Sequence, residues 1–247
     1  MVTEFANVTL FFSAALCTGL GGIAAGFGEG GIGSYTMQSL GRQPKASNEL
    51  VKTMLIGVAV TETGSIFSLV VSLLLLFGGF SGGEFDMART FSFLAAGLAM
   101  GLGSMGSSLG SGYTAAEACG GVGRYPSNTP GVTSNMIIGQ ALTQTSSIFS
   151  LIIALLLLYL IPDKAEDQSM VYQISMSCAY IAAALSIALG SMGVATGVGF
   201  VTGKAVKMTN RFKEDQPLFL RNMFVGVAVT ETCVIYSLVI AFLLIFR

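Results

Sequence analysis

Hydrophobic and polar positions divide the chain into long apolar stretches separated by short polar segments. One stretch, residues 57–77, reads GVAVTETGSIFSLVVSLLLLF and contains a single charged residue, Glu62. A helix of this length rises about 31 Å, enough to cross the hydrocarbon core of a bilayer, which is about 30 Å thick. The pattern therefore predicts a membrane-spanning helix that carries a carboxylate along its length.

The same pattern occurs three times along the chain. Residues 139–159 (GQALTQTSSIFSLIIALLLLY) and 226–246 (GVAVTETCVIYSLVIAFLLIF) align without a gap with residues 57–77. At the same distance before each of the three stretches stands an arginine: Arg42, Arg124 and Arg211. Repetition at fixed spacing indicates tandem structural units.

Each unit is predicted to be a helical hairpin. A glycine-rich apolar segment precedes each arginine, and a polar loop (GRQPKASNE, GRYPSNTPG or NRFKEDQP) joins it to the second span. The predicted fold is an all-α membrane protein with six transmembrane helices in three tandem hairpins. The predicted bounds of the hairpins are residues 1–80, 81–162 and 163–247.

The two helices of a hairpin differ in composition. The first helices hold 23 of the 32 glycines, whereas the second helices are rich in Leu, Ile, Val and Phe. Because small residues let helices approach closely in lipid, the glycine-rich helices are predicted to form an inner layer and the bulky helices an outer layer. Several copies of the chain, arranged as a ring, would close such a layer. The alternative is a compact six-helix bundle with glycines at ordinary crossings.

Composition narrows the classes of function. The chain is 53% hydrophobic and 10% charged with a net charge of −1, which excludes an ordinary soluble domain and indicates no nucleic-acid partner. It contains no histidine, which excludes His-based catalysis and His-ligated metals. The four cysteines are scattered and are expected to be packing residues. The N-terminus lacks a basic segment, so the first helix is expected to be retained rather than cleaved as a signal peptide.

Basic residues predict the orientation in the membrane. Nine of the 12 lysines and arginines flank the loops within the hairpins, and only Arg89, Lys164 and Arg247 lie on the other side. The positive-inside rule therefore places the hairpin loops in the cytoplasm and both termini outside. The expected location is a prokaryotic plasma membrane.

Acidic residues inside the spans are the candidate functional groups. Glu62 and Glu231 occupy the same repeat position, where the middle hairpin has Gln144. A charged side chain at the bilayer centre costs about 2.5–3.5 kcal/mol on insertion scales. Because protonation or a bound cation removes this cost, both acids are predicted to load and unload Na⁺ or H⁺, and Gln144 to carry neither. The alternative is a structural hydrogen bond between helices.

Other polar residues could complete such sites. A threonine directly follows each site position: Thr63, Thr145 and Thr232. Its hydroxyl could bind the carboxylate or a cation, or could donate to a carbonyl of its own helix. If the first hairpin folds about its loop, Glu29 lies at the depth of Glu62 and could share a proton or cation with it, or be a protonated and inert packing residue. Glu117 and Lys204 lie nearer the loops and are expected to reach toward the interface.

Taken together, the repeats, the loop sequence GRQP and the stretch VTETGSIFSLVV resemble the c subunit (proteolipid) of rotary F-, V- and A-type ATPases, in a fused triple-hairpin form. The resemblance covers essentially the whole chain, and TETGSIFSLV is most similar to the Na⁺-type c subunits of bacterial F-type enzymes. It implies a homo-oligomeric ring that rotates in the membrane against a stator subunit bearing an essential arginine. It implies no cofactor and no catalytic residue, because ATP chemistry belongs to other subunits.

The resemblance also implies roles for individual residues. Glu62 and Glu231 would carry the ion, with threonine hydroxyls as ligands, one of them from the neighbouring hairpin. The loops would contact the central stalk through Arg42, Gln43, Pro44, Arg124 and Arg211. Because Gln144 lowers the number of ions per turn, each ion could be moved against a steeper gradient, which implies a bias toward pumping.

Some residues depart from the family pattern. Where many Na⁺-type members have a glutamine on the first helix, the three hairpins have Glu29, Ser111 and Val198. Tyr236 matches a tyrosine that often closes the site, but phenylalanine replaces it in the other two hairpins. The two acid sites therefore differ, and both Na⁺ and H⁺ are retained as candidate ions. The alternative function is a secondary cation transporter built from hairpin repeats, which would more often show inverted repeats and broken helices.

Overall fold

The computed structural model describes residues 2–80, 85–163 and 169–247, with side chains from residue 6 onward. These ranges contain no strand, and their α-helices are α1 (Val2–Arg42), α2 (Ser47–Thr61), α3 (Thr63–Phe77), α4 (Met87–Val122), α5 (Thr129–Tyr159), α6 (Met170–Arg211) and α7 (Gln216–Ile245). With α2 and α3 taken as one span, six stretches are long and apolar enough to cross a membrane. The predicted all-α fold with six spans is confirmed.

The hairpins are α1 with α2–α3, α4 with α5, and α6 with α7. The predicted boundaries at residues 80/81 and 162/163 adjoin residues 81–84 and 164–168, which lie outside the described residues. The division at those positions therefore stays a prediction.

The connections within the three hairpins share one geometry. Each contains a single turn of 3₁₀ helix, Pro44–Ala46, Pro126–Asn128 or Lys213–Asp215. The residue before each turn has a similar backbone conformation, with φ of −139°, −139° and −125° and ψ of 71°, 76° and 79° respectively. Two of the turns start with proline, whose fixed φ suits the first position of a helix. The three turns lie at one end of the helices, called here the loop end.

Glycines pack the first helices into one layer, in the order α1, α4, α6. An added Cβ on Gly112 would meet the backbone of Gly28, and one on Gly110 would meet the carbonyl of Ala195. At Gly106 it would lie 2.5 Å from Cα of Met192, far inside van der Waals contact. Such close backbone approach admits no larger side chain, as the composition of these helices predicts.

The second helices form an outer layer. The span α2–α3 packs between α1 and α4, and α5 packs between α4 and α6. Helix α7 packs against α6 and α5. Each outer helix therefore lies in the groove between its own inner helix and that of the following hairpin, and α7 has only its own. The layered structure has two sides with no neighbouring hairpin, one along α1 and one along α6 and α7. These sides are called here the open edges.

One second helix is divided at a single residue. In hairpin 1, Glu62 separates α2 from α3, with φ −64° and ψ −24°. Its N–H still donates to the Val58 carbonyl, and its own carbonyl accepts from Ile66, each at 3.0 Å. The hydrogen-bonded ladder is continuous, so the division is a local change at a single residue.

A buried arginine closes the opposite end of the middle hairpin. Arg89 is 3% exposed, and its guanidinium donates to the carbonyls of Leu157 and Leu158 at 3.1 and 2.6 Å. It also stacks over Phe93, 4.6 Å from the ring centroid, and pairs with Asp163 at 3.4 Å. These carbonyls belong to the last turn of α5 and have no partner within the helix ladder, so Arg89 ties the end of α5 to α4.

Candidate ion-binding site

The repeat-equivalent positions Glu62, Gln144 and Glu231 lie midway along the three outer spans, but their surroundings differ. Glu62 is exposed at the edge of the chain, whereas Gln144 and Glu231 are half-buried at the junctions between consecutive hairpins. At each junction, residues of the preceding hairpin contact the side chain at this position. Position in the layer, rather than local sequence, therefore sets the environment.

Glu231 receives a hydroxyl from the preceding hairpin. Thr145 Oγ1 lies 2.5 Å from Glu231 Oε1 and 2.8 Å from the Leu142 carbonyl of its own helix. A hydroxyl has one proton, so Thr145 donates to one of these acceptors at a time, and a protonated Glu231 can instead donate to Thr145. Hydrogen bonds to an ionised acceptor are short and strong. Both readings of the threonine, as partner of the acid and as partner of its own helix, have a contact in the structure.

Gln144 occupies the same position at the junction of hairpins 1 and 2. Its Nε2 donates to the Val60 carbonyl at 3.3 Å, and its Oε1 is buried without a hydrogen-bond partner among the described residues. Thr63, the equivalent of Thr145, donates to the same Val60 carbonyl at 2.7 Å. The amide thus bonds to the neighbouring backbone instead of to a threonine hydroxyl.

Glu62 lies beside a second acid at the open edge of hairpin 1. Glu29 on α1 is half-buried, and the charges of the two carboxyls interact. No hydroxyl lies within hydrogen-bond distance of the Glu62 carboxylate among the described residues. The two acids stand where a preceding hairpin would pack.

Thr232 and Tyr236 lie on the opposite open edge, not around Glu231. The hydroxyl of Thr232 donates to the carbonyl of Val229 at 2.8 Å. Tyr236 is 66% exposed, and its hydroxyl makes no hydrogen bond within the described part of the chain. The structure therefore brings Thr145 to Glu231 and brings neither Thr232 nor Tyr236 there.

Comparison with known proteins decides the family. The model of the ATP synthase c-subunit family matches three successive segments, residues 12–75, 94–157 and 181–244, which together make up most of the chain. The chain belongs to the family of ATP synthase c subunits. It is therefore a ring subunit of an ATP synthase rather than a secondary transporter, and an integral membrane protein.

Single-hairpin relatives show the same likeness. The chain is 47% identical over 64 residues to the ATP synthase c subunit of Petrotoga mobilis, which is 26% of this chain and 67% of the relative. It is 46% identical over 67 residues to that of Latilactobacillus sakei, 27% of this chain and 96% of the relative. For Chloroflexus aurantiacus the identity is 47% over 64 residues, covering 26% and 84%. Each of these relatives thus corresponds to about one hairpin of this chain.

One buried amide, Gln140, was not among the site residues predicted from the sequence. Gln140 is fully buried, and its Nε2 lies 2.9 Å from the Gly57 carbonyl and 2.9 Å from Ser111 Oγ. Its Oε1 has no partner among the described residues. The signal was present, because valine stands at the same repeat position in the other two hairpins, as Val58 and Val227.

A second missed feature corrects the expectation for Glu117. Its side chain does not reach toward the interface but is 5% exposed on α4. It accepts from Lys204 at 3.0 Å and lies 3.3 Å from Lys207, both on α6. Two cations stabilise the buried carboxylate as a charge, so Glu117 joins two inner helices and is distinct from the acids midway along the outer spans.

The loop residues expected at the stalk share one surface. Arg42, Arg124 and Arg211 are exposed at the loop end, next to their 3₁₀ turns. Gln43 and Pro44 are exposed there as well.

The four cysteines differ in exposure. Cys17 and Cys119 are buried, as expected of packing residues, whereas Cys178 and Cys233 are exposed.

Proposed function

We propose that this rotor protein carries Na⁺ or H⁺ on Glu62 and Glu231 past a stator arginine, and so couples ion flow to rotation of a central stalk. Family membership supplies the ring, and the acids supply the ion carriers. The observation that supports the carrier role most directly is the 2.5 Å contact of Thr145 with Glu231 across two hairpins.

This contact supports exchange of a monovalent cation. When Glu231 is ionised, carboxylate and hydroxyl oxygens together offer hard ligands of the kind that Na⁺ prefers. When Glu231 is protonated, the same hydroxyl can accept its proton. Either form is neutral overall, which an apolar span requires. The Thr145 hydroxyl therefore serves both candidate ions.

The middle position takes no part in the ion cycle. Gln144 cannot ionise, and its amide is held to the Val60 carbonyl. Two of the three hairpins then carry ions, which lowers the number of ions moved per turn. At a fixed free energy of ATP hydrolysis, fewer ions can each be moved against a steeper gradient, so the ring is suited to pumping.

The loop end would face the cytoplasm and grip the central stalk. Three exposed arginines, Arg42, Arg124 and Arg211, lie there beside three similar turns. A basic surface of this kind follows the positive-inside rule for a prokaryotic plasma membrane. It would also attract acidic groups on a stalk protein.

Carbodiimide labelling tests the carrier role and the ion together. The whole ATP synthase in native membranes is treated with a carboxyl-reactive carbodiimide at fixed pH, with and without Na⁺, and the labelled residues are identified by mass spectrometry. Labelling of Glu62 and Glu231 that Na⁺ suppresses identifies a sodium carrier, and labelling that responds to pH alone identifies a proton carrier. Glu49, an exposed acid outside the span, serves as the control. No labelling of either acid would contradict the proposal.

A further inference from the structure

The two internal junctions of the chain use the same contacts at equivalent repeat positions. Between hairpins 1 and 2, an added Cβ on Gly112 would meet Gly28; between hairpins 2 and 3, one on Gly199 would meet Gly110. In each case the pair consists of the same two repeat positions, one from each inner helix. The junction between hairpins is therefore a repeated interface with a fixed register.

The same pair of positions occurs once more, at the two open edges. Gly197 on α6 is equivalent to Gly28 and Gly110, and Gly30 on α1 is equivalent to Gly112 and Gly199. An added Cβ on Gly30 would meet nothing within 4 Å, and one on Gly197 would meet only Thr230 of its own hairpin, at 3.3 Å. Each open edge presents one half of the interface.

A polar contact accompanies the glycine pair at the first junction. At the first junction, Thr61 Oγ1 lies 3.1 Å from Ser111 Oγ and 2.8 Å from the carbonyl four residues before it. The equivalent residues at the open edges are Thr230 and Glu29. Thr230 already bonds the Gly226 carbonyl at 2.8 Å, as Thr61 bonds its own helix. Glu29 thus stands where the neighbouring hairpin would present a threonine hydroxyl.

Side-chain size is matched across the edges. At the first junction the outer helix has Gly64, whose added Cβ would lie 2.6 and 2.8 Å from the hydroxyls of Ser108 and Ser107. The equivalent of Gly64 on α7 is the larger Cys233, and the residues that would face it on α1 are the smaller Gly26 and Ala25. A larger residue on one edge meets smaller ones on the other, which keeps the interface filled.

We propose that the open edge of hairpin 3 docks on α1 of a second copy in this one register, with the Thr230 hydroxyl hydrogen-bonded to Glu29 of the next copy. The same register brings Gly197 onto Gly30 of the next copy and Cys233 over its Gly26. The hydrogen-bond partner of Glu29 then comes from a neighbouring copy rather than from its own chain. This inference rests on the ring of the proposed function and adds the residues that join its copies.

Disulfide cross-linking in the intact complex tests the register. Gly26→Cys is introduced beside the native Cys233, and membranes are oxidised and run on a denaturing gel without reductant. At the internal junction the equivalent positions are Gly64 and Ser108, and an added Cβ on Gly64 would lie 2.6 Å from Ser108 Oγ. Because this is close enough for a disulfide between the two positions, a ladder of dimers and larger multimers is expected. Ile23→Cys is the control, since Ile23 is equivalent to Met105 and lies on another face of the same helix. The cross-linked fraction should be at least about fivefold higher for Gly26→Cys; equal fractions would overturn the register.

A second pair of variants tests the packing without cysteine chemistry. Gly30→Leu should prevent assembly, because its equivalents Gly112 and Gly199 lie against backbone. Gly31→Leu should be tolerated, since Tyr113 and Phe200 occupy the same position in the other hairpins. A native mass measurement of each variant gives its oligomeric state. Assembly of Gly30→Leu would overturn the register, whereas an unmodified chain that never forms a high-mass oligomer would contradict the ring itself.

Discussion

Glu62 and Glu231 share the tripeptide TET and a repeat position, yet the fold gives them different neighbours. Glu231 lies at an internal junction, 2.5 Å from the hydroxyl of Thr145. Glu62 lies at an open edge beside Glu29, where the described residues offer it no hydroxyl. On the inner helix behind Glu231, the position of Glu29 is taken by the buried Val198.

A site of this kind is therefore formed at a junction between two hairpins and not by one hairpin. The carboxylate comes from one hairpin and its hydroxyl from the hairpin before it. Three identical hairpins would therefore still give one site that differs from the other two in an isolated chain, because the first site has no preceding hairpin. Substitutions at both walls of each junction can test this view.

The largest effect is expected when both acids are lost. Glu62→Gln with Glu231→Gln removes every ionisable group at the aligned positions, so ion transport coupled to ATP hydrolysis should fall to background. Transport by the purified complex in vesicles measures this, and each single variant shows how much each acid contributes. Glu49→Gln, at an exposed acid outside the span, should keep normal activity. Coupled transport in the double variant would refute the carrier role.

A smaller and local effect is expected from Thr145→Val. A hydrogen bond to a charged group contributes about 1.5–3 kcal/mol, so Na⁺ protection of Glu231 should require roughly 10- to 150-fold more Na⁺, with Glu62 unchanged. Carbodiimide labelling of each acid across a Na⁺ titration provides the measurement. Thr63→Val is the matched control, because that hydroxyl bonds the Val60 carbonyl. An equal loss of Na⁺ protection at Glu231 in both variants would show that Thr145 has no special role.

Gln144→Glu should raise the ion-to-ATP ratio about 1.5-fold. It gives the chain three acids at the aligned positions instead of two, at a junction that Thr63 already borders. The ratio is obtained from the ion gradient at which hydrolysis comes to equilibrium. Gln144→Asn, which adds no acid, should leave the ratio unchanged. An unaltered ratio in the glutamate variant would mean that the middle junction cannot carry an ion for another reason.

The smallest effect is expected from Gln140→Val, which gives the middle hairpin the residue of the other two. The variant loses bonds to Gly57 and Ser111 but also removes the unpartnered Oε1. Net hydrogen bonds contribute about 1 kcal/mol each, so the complex should dissociate at a temperature lower by a few degrees with transport unchanged. Gln38→Val, at an exposed amide, should change neither. A large loss of transport would show that Gln140 belongs to the ion path.

Much of the fold could be predicted because the repeats are regular. Uninterrupted apolar segments of spanning length can satisfy their backbone groups in lipid only as helices, and the glycine bias predicted which helices form the inner layer. The candidate acids stood out for the same reason, as charges inside such segments. Contacts between side chains on different spans were harder to predict. Nothing in the local sequence of Glu117 shows that Lys204 and Lys207 approach it from another helix. Tyr236 is exposed on an open edge, so its role in closing a site stays a prediction.

The repeats alone show that the chain has six spans in three tandem units and that two of those units carry an acid midway along a span. Which threonine contacts which acid could be read only from the packed structure. A helix fixes the spacing of residues along its own axis, whereas the neighbour across a junction depends on how two helices pack. Close contact of Gly112 with Gly28 and of Gly199 with Gly110 sets that packing, and with it the placing of Thr145 against Glu231.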